Sequence, residues 1–215
     1  MLLMRRQLSL SMENNITLYG ASGHGKVIID VLKSNFDAHL IIVDDNPKAP
    51  DILGIPIVKT SEVNMETLRN TIISIGNNKT RKKIAAQLKT NYVKAIHPSA
   101  VISPFTKIGE GTVVMAGVKI NPDTVIGGHC IINTGAVIEH DANIGDFAHI
   151  SPAVSLAGNV TIGEGTHVGI GAIVIQGVTI GKWATIGAGA IILKDIPDYA
   201  VVVGNPGKII KYNNE

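Results

Sequence analysis

Aromatic side chains make up only 4% of this sequence, and it holds a single cysteine, Cys130. So few rings leave little from which to build the base-stacking platforms of single-strand nucleic-acid binders. Lys and Arg number 19 against 17 Asp and Glu, and the net charge of +2 is too balanced for a nucleic-acid or membrane-surface footprint. A lone cysteine cannot close an internal disulfide, which points to a reducing, cytoplasmic setting. No stretch reaches the roughly 18 apolar residues that a membrane-spanning helix needs. Residues 1–11 carry two arginines but no apolar run of signal-peptide length. With further methionines at Met4 and Met12, residues 1–12 read as a disordered or mis-assigned start.

What the chain has instead is a repeat. From Ile102 to Ile192 every sixth residue is aliphatic, without exception over sixteen positions. With 45% of residues hydrophobic, chance produces such a run about three times in a million per phase. Two residues before each, the side chain is never larger than Val, as at Thr106, Val118, Cys130 and Ala148. This hexapeptide pattern specifies a parallel β-helix whose coils bury one another's apolar faces. Gly109, Gly127, Gly145, Gly163 and Gly181 follow the aliphatic position at intervals of 18. Glycine is favoured where a backbone turns through positive φ, so the spacing predicts one tight turn at the same corner of every coil. Three hexapeptides per coil give a triangular prism, with coils about 4.8 Å apart and five of them about 24 Å tall. Uninterrupted hexapeptides of this form resemble the left-handed β-helix family, and the expected handedness comes from that resemblance.

The first half has a different rhythm. A short apolar strand, Ile16 to Tyr19, runs into Gly20-Ala21-Ser22-Gly23-His24-Gly25, and a helix follows with Val27, Ile28, Val31 and Leu32 on one face. A second strand, Leu40 to Val43, ends in Asp44-Asp45, and a third, Thr71 to Ile75, in Gly76-Asn77-Asn78. A Gly-rich loop at a helix N-terminus offers backbone N–H groups and the positive end of the helix dipole to a phosphate. Acids about 20 residues further on suit a nucleoside's polar edges. The spacing is G-x-x-G-x-G, not the dinucleotide fingerprint G-x-G-x-x-G, and ordinary turns are the other reading of both the glycines and Asp44-Asp45. Three loops at one sheet edge are a usual place for a ligand. Lys79, Arg81, Lys82 and Lys83 open an amphipathic helix and read as a solvated basic face.

Four of the seven histidines lie in the repeat: His129, His140, His149 and His167. His140 sits in Glu139-His140-Asp141, two residues past inward Ile138 and hence near a corner. A neighbouring carboxylate accepts an imidazole N–H, fixes the tautomer and raises the basicity. His149 precedes inward Ile150 and is expected to point outwards, with His167 one coil above it. A metal site is the competing account of clustered histidines. The β-helix enzymes resembling γ-class carbonic anhydrases use an i, i+5 pair plus a third histidine about two coils earlier, a spacing not found here, so no metal is expected. Cys130, facing inwards, makes a poor nucleophile.

The stretch from Lys194 to Lys208, with Asn205-Pro206-Gly207 near its end, looks like the closing motif of hexapeptide acyltransferases. Together with Gly20–Gly25, Asp44-Asp45, Ile75–Asn78 and Val137–Asp141, it makes the chain from about Asn15 onward resemble the bacterial nucleotide-sugar acetyltransferases. These are typified by the UDP-4-amino-sugar N-acetyltransferase of bacillosamine biosynthesis, with sialic acid O-acetyltransferase-like proteins as close relatives. The resemblance implies a Rossmann-like nucleotide-sugar-binding domain over 13–97, a left-handed β-helix acetyltransferase domain over 98–194 and a closing segment over 195–215. It also implies a homotrimer with active sites between subunits and acetyl-CoA in the groove between prisms. His140 would be the general base and Asp141, where the family pattern often has Glu, its orienter. His149 would meet the thioester, with Asn133 and the backbone around Ile170 and Ala188 lining the groove. Ser22, Gly23 and His24 would hold the diphosphate, and Asp44, Asp45 and Gly76 the nucleoside. The function expected is transfer of acetyl to the amine of a nucleotide-linked sugar. O-acetylation of a sugar hydroxyl, in sialic acid or a polysaccharide precursor, is the alternative, and a non-catalytic scaffold is a third reading.

Overall fold

The computed structural model describes residues 15–35 and 38–213. The expectation for residues 1–12 therefore lies outside the described residues.

The first unit contains β1 (Asn15–Tyr19), α1 (Gly23–Lys33), β2 (His39–Asp44), β3 (Asp51–Ile52), β4 (Ile55–Lys59), β5 (Thr71–Ile73) and α2 (Asn78–Gln87). Its sheet runs β3-β4-β2-β1-β5, parallel apart from the β3–β4 hairpin. Because β1 sits between β2 and β5, the C-terminal ends of all three open at one edge, the switch point where such sheets take ligands. In α1 the buried side chains are Ile28, Ile29, Val31 and Leu32. Val27, expected on that face, is 39% exposed, and Ile29 takes its place in the core.

From Ala95 onward the chain winds into a three-faced prism of two-residue strands. Val101–Ile102, Lys119–Ile120, Val137–Ile138, Ser155–Leu156, Ile173–Val174 and Ile191–Ile192 stack on the first face. The second holds Lys107–Ile108, Val125–Ile126, Asn143–Ile144, Thr161–Ile162 and Thr179–Ile180. The third rises from Ala95–Ile96 through Val113–Val114, Ile131–Ile132, His149–Ile150, His167–Val168 and Thr185–Ile186 to Ala200–Val203, where Lys208–Tyr212 closes it antiparallel. Partners lie one coil apart, as in Ile120↔Ile138 and Ile138↔Leu156. From Ile120 to Ile192 each aliphatic hexad residue is at most 2% exposed, and the small residues two places earlier fill the same core. Ile102 and Ile108, in the first coil, are only partly buried.

The glycines at intervals of 18 do a different job from the one expected. None of Gly109, Gly127, Gly145, Gly163 and Gly181 has positive φ. Instead the next coil passes so close that a Cβ on Gly163 would come within 2.5 Å of Lys182 N, and one on Gly145 within 2.7 Å of Glu164 N. The left-handed position falls two residues later, and the non-glycine residues His129 (φ 53), Phe147 (φ 59) and Trp183 (φ 54) adopt it as well as Gly111 and Gly165.

The third face of the prism is where the first unit docks. Val113, Met115 and Ile131 share one apolar cluster with Ile28, Ile29, Val31 and Leu32 of α1. That packing brings the ligand-facing sheet edge against the coil bearing His149.

Candidate active site

The Gly-rich loop is shaped by its neighbours before any ligand arrives. Gly20 adopts φ +112, and a Cβ there would strike Ile75 at 2.8 Å. Asp44 Oδ2 accepts from Ala21 N at 2.7 Å and its Oδ1 from Asn46 N at 2.8 Å. Asp45 Oδ1 accepts from Tyr19 Oη at 2.6 Å and Thr60 Oγ1 at 2.8 Å. Both carboxylates expected at the nucleoside thus already brace the loops around it. Ser74, which the sequence did not single out, donates to the Gly20 carbonyl and ties β5 to the loop.

Ser22 caps α1 in an extended conformation, so the helix begins at Gly23 with its first amides directed at the loop. Beside it lies a cleft of about 430 Å³ lined by Ala21, Ser22, Gly23, Lys26, Lys48, Asp51 and Ile57, among others. Nothing in the sequence singles out Lys26 and Lys48, which meet only when the sheet and α1 are assembled. Two ammonium groups next to a helix N-terminus make this cleft suited to a diphosphate.

His24, at the inner end of that loop, points the other way, toward the prism. Its ring centroid is 6.3 Å from that of His149, which stacks at 4.8 Å on His167. Asn133 Nδ2 lies 3.2 Å from His149 Nε2, and Ser151 Oγ lies 2.9 Å from His167 Nε2. Burial lowers His149 to about 3 and His24 to about 4, with the cation of Arg81 contributing to both. Two neutral imidazoles therefore face each other across the junction at neutral pH. The Nε2 of His24 is buried without a hydrogen-bond partner, a group that a bound ligand would satisfy.

Above His149, the corner that follows the third face carries Ile170 (55% exposed) and exposed Ala188. The Ile170 carbonyl accepts from Gly189 N at 2.8 Å, but among the described residues neither the Ile170 nor the Ala188 N–H has a partner. Two amides left free one coil apart fit the amide carbonyls of an extended pantetheine arm.

His140 and Asp141 are elsewhere. They turn the corner between the first and second faces, opposite the face that carries His149. His140 Nδ1 sits 2.7 Å from Asp141 Oδ2, and both side chains are more than half exposed. The hydrogen bond to Asp141 raises the His140 pKa above its ordinary 6.5, and the charges of Asp141 and Glu139 add to it. Glu139 is in turn held by Asn121 Nδ2 at 2.5 Å. Cys130 is fully buried, and burial pushes its thiol up to about 12, so it has no thiolate to offer. Among the described residues, no three His, Cys, Asp or Glu side chains come together as a metal-holding group, and no helix is long and apolar enough to cross a membrane.

The structure thus brings together His24, Gly76, Asn133 and His149, sets the Gly-rich and Asp44-Asp45 loops beside them, and leaves the His140–Asp141 pair on another corner. At the junction a further expectation fails. Arg81 does not belong to a solvated basic face; it is 1% exposed and hydrogen-bonded into both halves of the molecule.

Residues 15–88 match the PglD N-terminal domain family, and residues 105–140 and 159–194 match the bacterial transferase hexapeptide family of six repeats. The chain is 42% identical over 111 residues to the UDP-N-acetylbacillosamine N-acetyltransferase of Bacillus subtilis, a match covering 47% of this chain and 51% of that one. It thus spans about half the length of that relative. Among solved structures, PerB from Caulobacter crescentus, in complex with CoA and GDP-perosamine, is 40% identical with a TM-score of 0.86, over 92% of this chain and 97% of that one. The acetyltransferase domain of PglB from Neisseria gonorrhoeae, in complex with acetyl coenzyme A, is 36% identical with a TM-score of 0.85, over 92% and 99%.

Proposed function

This chain belongs to the bacterial nucleotide-sugar N-acetyltransferases that join a PglD-type N-terminal domain to a hexapeptide-repeat β-helix, and from that membership we propose that it acetylates the amine of a nucleotide-linked sugar with acetyl-CoA. The acceptor in this reading is a UDP-linked 4-amino-4,6-dideoxy sugar. The observation that carries the reaction type is the His140–Asp141 pair, 2.7 Å apart and open to solvent.

The nucleotide's diphosphate lies on the first turn of α1 at Ser22 and Gly23, with Lys26 and Lys48 flanking it. Gly76 and the braced Asp44 and Asp45 loops border the nucleoside, and His24 faces the sugar. The acetyl end of the donor sits by Asn133 and His149, and its pantetheine arm runs along the Ile170 and Ala188 amides. Since His149 stays neutral, it offers a hydrogen bond to the thioester and not a proton.

His140 takes the proton. Asp141 accepts from Nδ1, which leaves Nε2 as the basic nitrogen, and an imidazole whose basicity its carboxylate neighbours raise suits a general base. The amine attacks the thioester carbonyl, forming the C–N bond as His140 removes the amine proton. The C–S bond then breaks, and the thiolate leaves and takes up the proton that His140 had removed. No acyl-enzyme is needed, in keeping with the buried Cys130.

Within one chain the base and the donor-side histidine occupy opposite sides of the prism. That separation supports a homotrimer in which the His140 corner of one subunit meets the His149 face of the next. A left-handed coil and a cytoplasmic setting are part of the same reading.

The test is a thiol-release assay with acetyl-CoA against UDP-, dTDP- and GDP-linked amino-sugars beside their hydroxy analogues. Release with an amino-sugar alone supports N-acetylation and names the nucleotide. Release with hydroxy sugars alone replaces it with O-acetylation, and a chain binding neither acetyl-CoA nor any nucleotide-sugar would be a scaffold.

A further inference from the structure

Arg81 is among the largest fully buried side chains of the protein. Its Nε donates to His129 O at 2.7 Å. Nη1 donates to Ile75 O at 2.9 Å and Gly76 O at 3.2 Å, and Nη2 to Asn78 Oδ1 at 2.9 Å and Phe147 O at 2.8 Å. Every acceptor is a carbonyl or amide oxygen. A buried guanidinium without a carboxylate is costly unless its donors are all used, and here a planar fork with five N–H groups makes five bonds.

The acceptors fall on two sides of the molecule. Ile75, Gly76 and Asn78 form the loop that leaves β5 at the ligand edge of the first sheet. His129 and Phe147 are turns of the prism, one coil apart, and Phe147 lies two residues before His149. The Gly76 backbone also lies near enough to His149 to act on its pKa, upward against the effect of burial. Asn78 Nδ2 adds a further link to Gly165 O at 3.0 Å. A single guanidinium thus ties the loop bordering the proposed acceptor to the strand bearing the donor-side histidine.

We propose that Arg81 is a positioning residue for acetyl transfer, clamping the 75–78 loop to the prism turns at His129 and Phe147 so that the sugar amine and the thioester are held in reach of each other. The proposal rests on the function given above. Lysine cannot replace it, because one compact ammonium has three donors and no planar fork to span both groups of carbonyls. Misplacement by about 1 Å is enough to cost about 100-fold in rate when two reactants must be aligned.

The experiment compares the full chain with Arg81→Lys and Arg81→Gln. It measures the Kd of nucleotide-sugar and of acetyl-CoA separately, kcat at saturation, and amide hydrogen exchange over residues 74–78. The expected result is each Kd within about threefold of wild type, kcat lower by about 10-fold or more, and exchange in that loop faster by about 10-fold while β1 amides are unchanged. A folded Arg81→Lys with kcat within about twofold of wild type, or a loss fully explained by weaker binding, overturns the proposal. If neither variant folds, Asn78→Ala removes one clamp acceptor and the link to Gly165. It is expected to lower kcat by about threefold, and unchanged kcat there also overturns the proposal. Absence of acetyl transfer by the wild-type chain would defeat the proposed function alone, since loop exchange still reports on the clamp, and unchanged exchange in the variants would defeat the clamp itself.

Discussion

The His140 ring lies over Gly158, so close that a Cβ at that glycine would fall 2.8 Å from His140 Cε1 and 2.9 Å from Nε2. Gly158 has no positive φ, so alanine suits its backbone, and the exposed histidine is free to swing aside. Gly158→Ala is therefore expected to keep the thermal midpoint within a few degrees of wild type while lowering kcat by about 10-fold, because the proposed base leaves its position. Activity and melting measured on one preparation decide this; unchanged kcat would separate His140 from the chemistry.

The Asp141 carboxylate raises the basicity of His140, and a general base acts only when unprotonated. The acid limb of kcat/KM should therefore follow the His140 pKa. In Asp141→Asn that limb moves to lower pH and the plateau above it falls, by about 10-fold or more, as the base weakens. A pH–rate profile that keeps its acid limb in the variant would show that another group controls it. His140→Ala should lower kcat by about 100-fold or more on the plateau above that limb, and by less as the pH falls through it.

His24 and His149 have folded pKa values of about 4 and about 3, against an ordinary 6.5. Unfolded imidazoles take up protons as the pH falls through 6.5, and the folded ones do not until much lower. Stability is thus complete above pH 6.5 and is lost on the way down toward 4, by on the order of 2 kcal/mol for each group. Denaturant melts at pH 7 and pH 4.5 measure the loss. His149→Asn, which cannot take up that proton, should lose less stability over the same interval; an equal loss would mean that carboxylates alone govern it.

The two kinds of prism glycine should respond differently to alanine. At Gly163 the new Cβ meets backbone of the next coil at 2.5 Å, which no side-chain rotation relieves. Gly171 has φ +66 and open space around it, so its cost is limited to the left-handed backbone, about 1 kcal/mol. Gly163→Ala should lose at least twice as much in denaturant unfolding. Equal losses would mean that the coils move apart freely.

Much of this was legible in the sequence because the repeat makes one statement many times over. Sixteen aliphatic positions specify the inward column, and a small residue two places earlier specifies its neighbour. The His149–His167 stack follows from the same arithmetic. What one coil's pattern does not encode is which neighbour comes close. Gly163 and Gly171 look alike in sequence, yet one yields to the chain above it and the other to its own φ. Arg81 is hidden in the sequence for a related reason. Among Lys79, Lys82 and Lys83 it has the signature of a wet helix face, and its carbonyl partners come from residues 48 and 66 positions later in the chain. Asp44 and Asp45 stand out in the sequence as loop acids, but their own backbone and side-chain partners become visible only with the sheet assembled.

Where the acetyl group lands is the most direct measure of the account. The wild-type chain and His140→Ala are each incubated with acetyl-CoA and the amino-sugar nucleotide that supports thiol release, and the product is read by NMR. The account predicts an acetamide on the sugar nitrogen from the wild type and at most about one hundredth of that rate from His140→Ala. An acetyl ester on a sugar oxygen, or equal rates of acetamide formation from the two proteins, would contradict it.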